Sequence, residues 1–350
     1  MRAYSRSPAP ATLLLACCTA SLLSAAGSPF QHDIRPGPGV TSEYWLSRYA
    51  PSLAASAGDT KVFVMNSSNP GGTALVVGGT HGNEIAGIMA AILLVERASL
   101  STGRLIVIPH ANNSAISYTD PLHPGPEWTS IATPGGARKF KYGARRTRPD
   151  DQGAPDPPTY RHPSSSEALD GEEARNLDRV YPGNSQGTLT ERIAAAIVTL
   201  IVEERVDVAF DLHEAGPESR LAWMIVAHPK NVDVGALAVL ALEERGIKMN
   251  LEPSSATFRG LSHREWGDAT AARAFLFETP NPGQVDGGLQ TDTLHHPTYP
   301  LARRVGVHLE ALRAVLDAYD AEAQEAARID VAQLPSLEQL LRDGLGAFLR

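Results

Sequence analysis

The sequence predicts an α/β fold: one mixed, mainly parallel sheet covered by helices, followed by a helical C-terminal tail. Two observations carry this. Short apolar runs with branched residues alternate with longer stretches rich in alanine and leucine, the pattern of strand–helix–strand units. One junction, LVVGGTHGNEIA from Leu75 to Ala86, turns sharply from strand to helix through a pair of glycines. It places His81 and Glu84 at the carboxyl end of a strand, where open α/β sheets hold their sites.

Taken in order, residues 1–27 have a basic start at Arg2 and Arg6, then ATLLLACCTASLLSAAG, a short apolar core ending in small residues. This reads as a secretory signal peptide, too short and too weakly flanked for a membrane span. Export to a secreted or periplasmic location is the expectation. A lipid anchor at Cys17 is the alternative, since Leu14-Leu15-Ala16-Cys17 loosely resembles a lipoprotein cleavage site. Residues 28–60 read as a linker and N-terminal segment, in which TSEYWLSRYA (41–50) is expected as a short amphipathic helix.

The α/β domain is expected over 61–328. Lys61–Met65 reads as a strand, Asn69 to Gly72 as a turn, Thr73–Val77 as a second strand, and Arg104–Pro109 as a third after the helix. Residues 112–188 change character: Pro, Gly, Asp and Arg are dense and no periodicity survives. A loop this long inside a domain is functional or disordered. Its aromatic residues favour an ordered excursion that lines a site. A helix over Leu189–Glu204, a strand over Val206–Asp211, a strand over Leu221–Ala227 and a helix over Val232–Arg245 follow. The strand Arg273–Phe277 ends at Glu278, a helix spans about Arg303–Ala327, and residues 329–350 carry a terminal helix over Ser336–Leu349. There is no internal repeat.

With 350 residues, 43% hydrophobic and 20% charged, the chain has the composition of an ordinary globular protein. A net charge of −8 gives no indication of nucleic acid or of an anionic membrane surface as partner. Both cysteines, Cys17 and Cys18, lie in the leader. The mature chain is therefore expected to lack disulfides, a cysteine zinc site and a cysteine nucleophile, and to make no stable membrane insertion.

His81 and Glu84 stand three residues apart, a spacing at which an imidazole and a carboxylate reach one ion from the same side. His213 follows the strand VDVAFD and adds a second imidazole. Two histidines and one glutamate are a ligand set that suits catalytic zinc, with one position left open. Along a strand, residues i and i+2 face one side, so Asp211 points with His213 and is placed to support it. Glu278, at a strand end, is the candidate general base, with Glu214 and Glu265 as weaker rivals.

In the order GGTHGNE, NLDRVYPG, DLHE, FETP, these stretches resemble the succinylglutamate desuccinylase/aspartoacylase family, over roughly Thr73 to Pro280. The resemblance implies the wider zinc-carboxypeptidase-like fold and one zinc per chain, held by His81, Glu84 and His213. It implies Glu278 as general base and Arg179 in contact with a substrate carboxylate or the developing oxyanion. Arg175, Arg145, Arg146 and Arg161 are the candidates for a second substrate arginine. The family commonly reads D-L-N-R where this chain has Asn176-Leu177-Asp178-Arg179, so Asp178 replaces an amide beside the substrate arginine. A carboxylate there is expected to repel an acidic substrate terminus, unless Asp178 points away or pairs with Arg175. The aspartoacylase branch also carries a β-rich C-terminal domain, whereas only 72 residues follow Glu278 and they read as helical. The reading is a zinc-dependent hydrolase of an amide bond in a small N-acyl amino acid or a peptide. A metallocarboxypeptidase acting on peptide C-termini and a catalytically inactive binding module on the same fold are the alternatives.

Overall fold

A computed structural model of the chain describes residues 29–121, 125–285, 291–322 and 327–350. The expected signal peptide and the Cys17 anchor lie outside the described residues. In chain order come β1 (Ser42–Trp45), β2 (Lys61–Asn66), β3 (Thr73–Gly78), α1 (Ile85–Arg97), β4 (Ser99–Thr102) and β5 (Arg104–Ile108). The excursion holds α2 (Asn113–Ser117), a hairpin of β6 (Trp128–Thr133) and β7 (Gly136–Lys141), and the short pair β8 (Thr159–Tyr160) and β9 (Leu169–Asp170). Then follow α3 (Leu189–Glu203), β10 (Val208–Ala215), β11 (Met224–Ala227), α4 (Val232–Glu244) and β12 (Asn250–Pro253). The chain ends with α5 (Ser262–Ala269), β13 (Arg273–Pro280), α6 (Leu301–Glu322), β14 (Asp330–Ala332) and α7 (Leu337–Asp343).

Eight strands form one sheet in the order β1-β2-β5-β3-β10-β13-β11-β12. The central run β5-β3-β10-β13 is parallel, as is β11 with β12, and the remaining pairings are antiparallel. The four central strands are buried on both faces, which is why they read as continuous apolar runs. On one face Val76, Phe210, Phe275 and Phe277 pack with α1, α4 and α6. On the other, Leu75, Val77, Ala209 and Ala274 pack with α3 and with Trp266 of α5. This is the doubly covered mixed sheet read from the sequence.

Several elements differ from that reading. Residues 41–50 form β1 and a 3-10 turn, Leu46–Arg48, in place of a helix. A segment this short is a marginal helix on its own, and Thr41, Tyr44 and Trp45 favour the extended edge that pairs with β2. The strand expected from Leu221 begins at Met224, because Trp223 sits at φ 61° and turns the chain. The expected terminal helix is split at Gly344, with φ 79°, into α7 and a 3-10 turn. The last long helix is described to Glu322. Inside the excursion, β6 and β7 escape the sequence reading, as do β12 and α5 beyond it. No helix among the described residues is long and apolar enough to cross a membrane.

The close seating of α1 on the sheet requires glycine. A Cβ on Gly87 would stand 2.3 Å from the carbonyl oxygen of Leu212, and one on Gly78 would stand 2.8 Å from the carbonyl oxygen of Gly87. These contacts join the strand that precedes His81, the helix that follows Glu84 and the residue before His213. Gly87→Ala is expected to push α1 away from β10 and to destabilise the protein by about 1–3 kcal/mol, the usual range for overpacking. Urea denaturation measures it, and unchanged stability would show that the helix has room to shift.

Candidate functional site

Register in the sheet brings the predicted residues together. His213 stands opposite Glu278 across the parallel β10–β13 pair, on the face shared by Asp211 and Leu276. β3 lies on the other side of β10 and delivers the turn that carries His81 and Glu84. His81, Glu84, Asp211 and His213 are all buried, and Glu278 is 8% exposed.

Glu84 lies between the two imidazoles. Its Oε1 is 2.7 Å from His81 Nδ1, and its Oε2 is 3.1 Å from His213 Nδ1. Behind them, His81 Nε2 lies 2.9 Å from Asn176 Oδ1, and His213 Nε2 lies 2.9 Å from Asp211 Oδ2. The amide of Asn176 has a fixed orientation: Oδ1 accepts the N–H of Asp178 at 3.0 Å, while Nδ2 donates to Glu173 at 2.8 Å. Asn176 Oδ1 therefore accepts from His81 Nε2–H, and this tautomer turns the Nδ1 lone pair toward Glu84. A lone pair facing a carboxylate oxygen at 2.7 Å needs a positive charge between them. On His213, Glu84 and Asp211 favour the protonated form strongly enough, against burial, to raise its pKa well above the usual value. Glu84 is correspondingly held well below the carboxylate range by His81 and His213, against the opposing effect of burial. Donor atoms of His81, Glu84 and His213 lie within 4.8 Å of one another. Two imidazoles and one carboxylate within this distance form a buried set that could hold a divalent cation with nitrogen and oxygen preference.

A cleft of about 420 Å³ opens on the three residues and is also lined by Glu278, Arg145, Asp178 and Arg179. Glu278 Oε2 is buried with no hydrogen-bond partner among the described residues. Burial raises the Glu278 carboxyl well above the usual range, and Glu84 and Asp178 push the same way.

Of the four arginines weighed for a second substrate contact, Arg145 is the one on the cleft. Gly82 N donates to Ala144 O at 2.7 Å and Gly143 N to Gly82 O at 2.9 Å, so the chain entering Arg145 is clamped to the turn that carries His81. Its Nη1 stands 3.3 Å from Glu84 Oε1. Arg175 is turned away: its guanidinium binds Asp156 at 2.8 Å and the Thr147 carbonyl at 2.6 Å. Arg146 pairs with Glu172 and Glu173, and Arg161 donates to the Ser166 carbonyl. Arg179 lines the cleft and donates to the Asp178 carbonyl at 2.7 Å. Asp178 is buried, with Oδ1 accepting the N–H of Ser262 at 2.7 Å.

Neither rival base is free. Glu214 falls on the opposite face of β10 from His213, where it forms a fully buried ion pair with Arg304 and accepts the N–H of Ala86 at 2.9 Å. Glu265 is occupied by Gly260 N–H at 3.1 Å and by Arg259. The sequence reading missed two residues that touch the site. Asn176 lay within the quoted NLDR stretch, and its use is revealed only by the fold. Gln284 donates from the loop after β13 to Glu84 Oε1 at 3.2 Å and to the Glu214 carbonyl at 3.0 Å, with no motif to mark it.

No protein-family model matches the chain. Over 148 residues it is 30% identical to the N-alpha-acetyl-L-2,4-diaminobutyric acid deacetylase of Halomonas elongata, a match spanning 42% of this chain and 29% of that protein. Among solved structures, the ectoine utilization protein of Ruegeria pomeroyi is similar at 21% identity and TM-score 0.47, over 75% of this chain and 61% of that one. A succinylglutamate desuccinylase from Silicibacter sp. TM1040 is similar at 19% identity and TM-score 0.45, over 82% and 70%. The tripeptide-bound cell shape determinant protein of Helicobacter pylori is similar at 14% identity and TM-score 0.48, over 81% and 60%. The chain thus spans under a third of the deacetylase and about three fifths of the Ruegeria and Helicobacter proteins. The fold is a mixed α/β sheet covered by helices, with a helical C-terminal region. A succinylglutamate desuccinylase is thus among the solved structures to which the chain is similar.

Two histidines near the site make stability sensitive to acid. Burial lowers both His263 and His308 to about 3, against about 6.5 in an unfolded chain. Their contribution is complete above pH 6.5 and is lost as pH falls from 6.5 toward 3, because only the unfolded chain binds the protons. The expected slope is about 1.4 kcal/mol per pH unit for each histidine. His308→Gln should remove one such share from the pH dependence of urea denaturation. An identical slope in this variant would show that His308 does not titrate on unfolding.

Proposed function

We propose that this chain is a zinc-dependent hydrolase of small amide substrates, with His81, Glu84 and His213 as metal ligands and Glu278 as general base. The observation that carries the reading is the buried Glu84 carboxylate facing two imidazole nitrogens, beside a second carboxylate that has an unpartnered oxygen over the same cleft. A zinc ion bound there supplies Lewis acidity toward an amide carbonyl and toward water.

The protein's own residues supply the rest. Asn176 fixes the His81 imidazole by a hydrogen bond, and Asp211 lies beside His213 Nε2 at 2.9 Å as an ion-pair partner. Glu278, kept dry and without a competing donor, takes a proton from the attacking water and returns it to the leaving nitrogen. Arg145 presents a guanidinium beside Glu84, where it stabilises negative charge developing on the carbonyl oxygen. Arg179, deeper in the excursion, orients the substrate. The deacetylase named above supports an N-acyl amide as the substrate class. We include export in this reading, on the composition of residues 1–27. Sequencing the mature N-terminus tests it: a start near residue 27 is expected, a lipid-modified Cys17 would make the protein anchored, and an intact Met1 would refute export.

Three variants test the chemistry. The purified protein should carry about one zinc per chain, and His213→Ala should lose most of it. Glu278→Gln should keep the zinc and the fold while turnover falls roughly 10²–10⁴-fold, since an amide cannot accept the proton. Arg145→Ala should lower kcat and kcat/KM together, as befits a contact made in the transition state. The substrate comes from incubating metal-loaded protein with a panel of N-acyl amino acids and short peptides, read by mass spectrometry. Undiminished zinc in His213→Ala would remove His213 from the site, and near-normal turnover in Glu278→Gln would dismiss Glu278 as the base.

A further inference from the structure

The sheet face that carries Asp211, His213 and Glu278 continues outward past Glu278. β11 runs antiparallel to β13 with Met224 opposite Glu278 and Val226 opposite Leu276, so these side chains share the cleft face. Met224, Val226 and Leu276 pack together with Leu221 as an apolar cluster of their own, apart from the two that join helices to the sheet. Val226 and Leu276 form the floor of the cleft, and Leu169, Leu221, Phe258 and Leu261, all half-buried, line it above them. Apolar surface gathered in a concave site is the kind that a ligand's apolar part covers.

The polar groups at this end are engaged with one another. Glu252 of β12 stands opposite Val226 and accepts from Arg220 at 3.2 Å. Arg259 donates to Asp268 at 2.8 Å, and His263 Nδ1 lies 2.9 Å from Ser254 Oγ. A charged substrate group placed over Leu276 and Val226 would lose its water and have to break into one of these pairs for compensation.

Strand order decides which half of a substrate lies here. Across β3-β10-β13-β11, His81 and Glu84 sit on the turn after β3, His213 on β10, Glu278 on β13, and the apolar floor on β13 and β11. An amide whose carbonyl is held at the first three residues and whose leaving nitrogen faces Glu278 extends the substituent of that nitrogen over Leu276 and Val226.

We infer that this floor is the subsite for the amine half of the substrate, and that it selects an amine with an apolar side chain over a charged or amide-bearing one. This rests on the hydrolase reading above and names its substrate class. Val226, Leu261 and Leu276 are specificity residues in this assignment: they touch the side chain of the leaving amine and take no part in proton transfer.

A series with one acyl group and side chains of matched length isolates the effect. The N-acetyl derivatives of L-norleucine, L-glutamine, L-glutamate and L-lysine are assayed with zinc-loaded protein, as free acids and as α-carboxamides, and the order is read in the form hydrolysed faster. There kcat/KM is expected to favour the norleucine member over the other three by about tenfold or more, the scale of a few buried methylenes. Val226→Thr, close in shape but polar, should reduce the norleucine-to-glutamine ratio. Leu261→Arg should raise the glutamate member relative to norleucine. Structural damage lowers all members together, so a shifted ratio in either folded variant reports the subsite. No norleucine preference in the wild type, or the wild-type ratio in every variant that folds, overturns the inference and leaves the hydrolase reading in place. Should neither variant fold, the wild-type order decides.

If no member is hydrolysed, the hydrolase reading fails for these substrates and the same compounds serve as stable ligands. Calorimetric titration of zinc-loaded wild type and Leu261→Arg with the norleucine and glutamate carboxamides then gives the ratio of the two affinities. A wild-type ratio that favours norleucine and moves toward glutamate in the variant supports the inference. An unshifted ratio, or no binding of the norleucine member, overturns it.

Discussion

Glu84 lies between two imidazoles, and much of the site's architecture supports that one carboxylate. A buried acid is tolerable only with opposite charge or several donors around it. Glu84 has His81 on one oxygen and His213 on the other, and Oε2 also accepts the N–H of Glu214 at 3.0 Å. These partners come from distant parts of the sequence, so the carboxylate is correctly surrounded only when β3, α1 and β10 are in register. The glycines at positions 78 and 87 set that register by allowing helix and strand to touch backbone to backbone. Core packing and site geometry therefore depend on the same contacts.

Alternation along β10 divides the load. Asp211 and His213 face the cleft, while Glu214 faces the layer beneath α1 and α6. There Glu214 is joined to Arg304, Ala86 N and Asn281, and Asn281 Nδ2 donates to the Asn83 carbonyl at 3.0 Å. This ties the ends of β10 and β13 to the turn preceding α1 from behind. A buried pair of this kind contributes little net stability compared with apolar packing, yet removing one partner leaves an uncompensated charge at a typical cost of about 3–5 kcal/mol. Its use here is positional, because it pins the same turn that presents His81 and Glu84.

The sequence made the centre of the sheet legible because buried parallel strands read as apolar runs and because glycines flagged the turn. Period-two alternation likewise put Asp211 with His213. The excursion was less readable. Its hairpin has a faint alternation, with Thr129 and Ile131 buried between exposed neighbours, hidden among prolines and charges. The separate fates of Arg145, Arg175 and Arg179 are decided by tertiary contacts alone: a backbone clamp to Gly82, an ion pair with Asp156, and flanking acids respectively. Gln284 follows no periodic element, so no local pattern distinguishes it from a loop residue on the surface.

The stretch from Arg175 to Arg179 shows why a motif and a role are separate things. Five successive residues leave a tight 3-10 path in different directions. Arg175 braces the excursion, Asn176 fixes the tautomer of His81, Leu177 enters the core, and Asp178 and Arg179 reach the cleft wall. The backbone path asks of position 178 only an acceptor for the Ser262 N–H, which an aspartate or an asparagine oxygen supplies alike. The fold therefore leaves the choice between carboxylate and amide at that position to the chemistry of the cleft.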